Sequence, residues 1–100
     1  MSAGSFPAGT AARLHSKDGG LPGWVVILAV PPREPSLRAL TQRGSIGAIL
    51  EHDPGLTWPD VAGQRLVRAT LDVGGIAALG FRDLADASAC VLRLRREGVK

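Results

Sequence analysis

Apolar residues run without a break from Trp24 to Val30 and stop at Pro31-Pro32. A run this short, rich in Val and Ile and bounded by Gly23 and a proline, predicts a strand buried on both faces. After the prolines, Ser36 can cap a helix whose Leu37 and Leu40 share one face, with Arg38 and Gln42 turned away. Gly44 is placed to end that helix. Residues 45–50 read either as a second strand or as a helical continuation, and His52-Asp53-Pro54-Gly55 reads as a turn.

The next stretch fits two periods. Thr57-Trp58-Pro59-Asp60 has the residue types of a helix start, with Thr57 as cap and Pro59 in the first turn. From Leu66 onward, Val67, Ala69, Leu71 and Val73 alternate with Leu66, Arg68, Thr70 and Asp72, the pattern of a half-buried strand. A helix over 58–73 competes, since Trp58, Val61, Ala62, Leu66, Ala69 and Val73 form a helical stripe. The strand is the preferred reading, and Gly74-Gly75 then reads as a two-residue hairpin turn, since both glycines can take positive φ. Ile76 to Phe81 then returns as its partner strand. Asp83 is placed to cap a last helix with Leu84, Ala87, Val91 and Leu94 on its inner face, ending at Glu97-Gly98. Ala89 to Arg95 also alternates, so a short strand there is the other reading. Residues 1–23, rich in Gly, Ser and Ala, read as a flexible leader to a domain over 24–100.

One hundred residues support a single small core. The chain is 45% apolar and 21% charged, which excludes wholesale disorder. Its net charge of +3 is too small to establish nucleic-acid binding by itself. Arginine dominates that charge, with ten Arg against two Lys, and its planar fork suits phosphate or carboxylate. A single cysteine, Cys90, allows no internal disulfide and no cysteine-based zinc site, which points to an intracellular setting, nuclear or cytoplasmic. The apolar run is too short to cross a bilayer, so no membrane partner is expected. His52 lies between Glu51 and Asp53, but sequence neighbours in a strand face opposite ways. No catalytic residue, metal site or cofactor is therefore expected.

The order strand, helix, glycine-linked strands, helix is most of a ferredoxin-like split βαβ sandwich, an α+β fold. Within it, Val25-Val26-Ile27-Leu28-Ala29-Val30 resembles the hexamer motif of the RNA recognition motif family. Gly75, Ala77, Leu79 and Phe81 resemble its octamer motif, and Leu37 to Gly44 its first helix. The resemblance covers roughly residues 24–97 and implies a ferredoxin-like sheet whose last strand is incomplete, absent or formed by Ala89 to Arg95. The family stacks bases on aromatic sheet residues; here those positions hold Val26, Ile76 and Ala78.

The resemblance implies a non-catalytic binding module of a ribonucleoprotein assembly, contacting RNA or a protein partner. Arg33, Arg65 and Arg68 are the candidate RNA contacts, helped by Arg13 and Lys17. Val26, Ile76 and Ala78, lying side by side on an open sheet face, are the candidate interaction surface, with Trp58 as anchor and a homodimer as one use of it. The alternative is a small helix-turn-helix DNA-binding protein, built from helices over 36–52 and 58–73.

Overall fold

The computed structural model describes residues 6–16, 23–42 and 47–100. The chain runs β1 (Ala11–Ser16), β2 (Trp24–Ala29), α1 (Leu37–Thr41), β3 (Gly47–Glu51), α2 (Val61–Asp72), β4 (Ile76–Phe81) and α3 (Leu84–Arg96). The strands form one mixed sheet in the order β1-β2-β4-β3. β2 is antiparallel to both β1 and β4, whereas β3 is parallel to β4. The described residues thus form an α+β fold with a four-stranded sheet and three helices.

The apolar run forms the central strand β2 as read, buried on both faces because helices cover both. On one face, Val26, Leu28, Ala77 and Leu79 pack with Val67 and Leu71 of α2 and with Ala87, Cys90 and Leu94 of α3. On the other, Val25, Ile27, Ala29, Ile76 and Ala78 meet Leu37, Ala39 and Leu40 of α1. Ser36 caps α1 as read, accepting the Ala39 amide at 3.1 Å. Its expected stop at Gly44 lies outside the described residues, as does Lys17.

Four expectations are corrected. Residues 1–23 are not all leader, because Ala11–Ser16 pairs along the whole of β2 and buries Ala12 completely. Residues 66–72 are helix with Val73 as its C-cap, and Gly74-Gly75 is a helix end rather than a hairpin. Gly74 takes a φ of 76°; its amide bonds the Leu71 carbonyl at 3.1 Å, and the Gly75 amide bonds Thr70 at 2.8 Å. These are the two bonds of a Schellman cap, which needs a residue of positive φ at its first position. The start of α2 is capped by Asp60, whose carboxylate accepts the Gly63 amide at 2.8 Å, and not by Thr57. The helix-turn-helix reading fails as well, since a strand at Gly47–Glu51 separates α1, five residues long, from α2.

α3 forms as read and excludes a strand over 89–95. Its end repeats the same cap: the Gly98 amide bonds Arg95, and Val99 bonds Leu94 while burying its side chain. That turn delivers Lys100 to the outer edge of β1. There its carbonyl accepts the Ala12 amide at 2.8 Å and its amide donates to Thr10 at 3.0 Å.

Candidate arginine and aromatic cleft

Neither sheet face is open at the residues assigned to an interaction surface. Val26, Ile76 and Ala78 are each 0% exposed. They do not share a face either. β2 and β4 pair with Val26 opposite Leu79 and Ala29 opposite Ile76, so Val26 points toward α2 and α3 while Ile76 and Ala78 point toward α1. The period-two rule that makes a strand two-faced separates them once the register is fixed.

α2 places two of the assigned arginines together. Arg65 and Arg68 are three residues apart, so they are neighbours on the helix surface. They line an open cleft of about 430 Å³ with Phe6, Pro7, Ala69 and Asp72. Arg65 is exposed and Arg68 half-buried, so both guanidinium groups can remain hydrated until a ligand arrives. Arg33 lies elsewhere, in the turn after β2, where its amide bonds the Val30 carbonyl at 3.2 Å. Arg13 is engaged within the fold: its Nη1 donates to the carbonyls of Ala12 and Lys100.

Trp58 joins this cleft to the core. Phe6 meets it edge-on, with ring centroids 6.2 Å apart and planes at 89°. Arg93 of α3 lies over the Trp58 ring, its guanidinium carbon 4.1 Å from the centroid, a cation–π contact. Trp58 is half-buried and packs against the core. It is therefore both structural and reachable.

A second cleft, about 270 Å³, lies at the end of β3 and is the one that Trp58 itself lines, with Glu51, His52, Asp53 and Asp60 among others. His52 is committed to the fold. Its ring stacks on Phe81 at 4.6 Å and 13°, and its Nδ1–H donates to the Gly80 carbonyl at 3.2 Å. Among the described residues, no three His, Cys, Asp or Glu side chains gather closely enough to hold a metal ion. Cys90 is buried beneath α3, and desolvation pushes its thiol up to about 12, against an opposing pull from Arg93.

Phe6 and Arg93 are the members of this cluster that sequence reasoning missed. Phe6 was hidden in the apparent leader, although an aromatic residue followed by proline is conspicuous in a chain with four aromatics. No family model, curated protein or solved structure matches the chain, so its function is argued from this geometry.

Proposed function

We propose that the chain is a non-catalytic binding module for single-stranded RNA. The grip is the cleft on α2: Arg65 and Arg68 take successive phosphates, and the exposed part of Phe6, backed by Trp58, offers ring surface to a base. The observation that carries this reading is the lining of one open cleft by two adjacent arginines and Phe6, itself in ring contact with Trp58. Phosphate contacts position a strand, and base stacking on an aromatic adds about 1–3 kcal/mol per base without needing a specific sequence.

The RNA recognition motif resemblance lends this reading only the coarse α+β plan. The sheet positions that such a domain would use are buried here, and its glycine hairpin is a helix cap. The ligand-binding face accordingly moves from the sheet to the flank of α2, and Arg33 drops out of it.

Fluorescence anisotropy with labelled single-stranded RNA at several salt concentrations tests the proposal. Wild-type binding should weaken with salt. Arg65→Ala and Arg68→Ala each remove one phosphate partner, so each should flatten the log–log salt slope by about 0.7. Binding that ignores salt, or that neither substitution changes, would remove the cleft from consideration.

A further inference from the structure

α2 carries an apolar stripe that the core does not use. Ala62, Leu66, Ala69 and Val73 are all exposed, Leu66 at 47% and Val73 at 65%, whereas the residues this helix buries are Val67, Thr70 and Leu71. Spacings of four, three and four keep the stripe on one side of the helix. Leu66 follows Gly63 by three residues, and Val73 follows Thr70 by three. Gly63 abuts β3: a Cβ placed on it would meet Leu50 Cδ1 at 3.2 Å. Leu66 and Val73 therefore lean toward β3, away from Arg65 and Arg68, with Ala69 at the crest between the two flanks.

Among the described residues, β3 is the outermost strand on that same flank and pairs with β4 alone. The His52 amide bonds the Gly80 carbonyl at 2.9 Å. Backbone groups alternate in direction along a strand, so Ala48 and Leu50 also aim at β4, and Gly47, Ile49 and Glu51 aim outward. Among the described residues nothing pairs with that outer row. Ile49 is 54% exposed beside it. The opposite edge of the sheet, by contrast, is met by Lys100.

We propose that a second copy of this chain docks here, β3 pairing antiparallel with β3 about a two-fold axis at Ile49, and α2 packing stripe to stripe. The edge is self-complementary in that register. Ile49 opposes Ile49, each exchanging N–H and C=O with the other, and Gly47 opposes Glu51, so no carboxylate faces its own kind. The stripe holds no charge that would call for a basic or acidic partner. A stable dimer buries about 800 Å² per partner, roughly a seventh of the 5836 Å² surface. A five-residue edge falls short of that alone, so the contact needs the α2 stripe as well, and the dimer is a weak one that forms with rising concentration.

Sedimentation velocity from micromolar to millimolar protein, with amide exchange measured at both ends, tests this. The mass should shift from monomer to dimer, and the Ile49 amide should exchange more slowly in the concentrated sample. Leu66→Glu changes an exposed side chain, and Ile49→Pro removes an amide hydrogen that β4 does not use. Each should keep the protein monomeric, with circular dichroism reporting whether the variant is folded. A wild-type monomer throughout, a dimer unaffected by a folded Leu66→Glu protein, or an Ile49 amide indifferent to concentration would each overturn the proposal.

Discussion

The Arg93 guanidinium lies over the Trp58 ring, 4.1 Å from its centroid, and so ties the last helix to the loop that leads into α2. Phe6 meets the same ring edge-on. Trp58→Ala removes both interactions together with a half-buried ring. The expected loss is about 2–3 kcal/mol, below the 3–5 typical of a fully buried aromatic, read from urea unfolding. Arg93→Ala should cost less, about 0.5–1 kcal/mol, as an exposed cation–π pair. A Trp58→Ala protein as stable as wild type would show that the ring does not hold these elements together.

The ends of α2 make a separate prediction. Asp60→Ala takes the acceptor from the Gly63 amide and should cost about 1 kcal/mol. Gly74→Ala meets no steric obstacle, since nothing lies within 4 Å of an added Cβ. Its expected cost of about 1–2 kcal/mol comes from forcing a side chain into left-handed backbone. Thermal melts of the two single variants and the double should show nearly additive losses, because the two caps share no partner.

Cys90 gives the pH dependence. Its thiol titrates near 12 when folded, against an ordinary value of 9.0, because burial disfavours the thiolate. Between those values the unfolded chain gives up a proton that the folded chain retains. Stability from this group is therefore fully present below pH 9 and declines as pH rises toward 12. Cys90→Ala should lose that alkaline decline. At neutral pH, thiol reagents should leave the native protein unlabelled and react at once in denaturant. Rapid labelling of native protein would contradict the burial.

Much of the fold was legible where a single pattern dominated. The Trp24–Val30 run and the Ser36 cap each had one preferred physical reading, and each formed. The stretch 58–73 was not legible, for a specific reason. The apolar stripe it displays at helical spacing, Ala62, Leu66, Ala69 and Val73, is not the side that α2 buries. The buried side includes Thr70, whose hydroxyl bonds the Leu66 carbonyl at 2.8 Å and so enters the interior satisfied. A polar residue inside and an apolar stripe outside made alternation look the better fit. β1 was missed because Ala12 and Leu14 are a faint signal among glycines and serines, and their burial depends on pairing with β2. Arg65 and Arg68 were singled out on sequence and α2 sets them side by side, but the ring beside them comes from residue 6, which spacing along the chain cannot bring near.

The most direct test of the RNA-binding account is a chemical-shift titration of isotope-labelled protein with a single-stranded oligonucleotide. The account predicts shifts concentrated at the Trp58 indole N–H and at the amides of Phe6, Arg65 and Arg68, with α1 and β1 unmoved. Shifts gathered on the α1 side of the sheet, or none at saturating oligonucleotide, would contradict it.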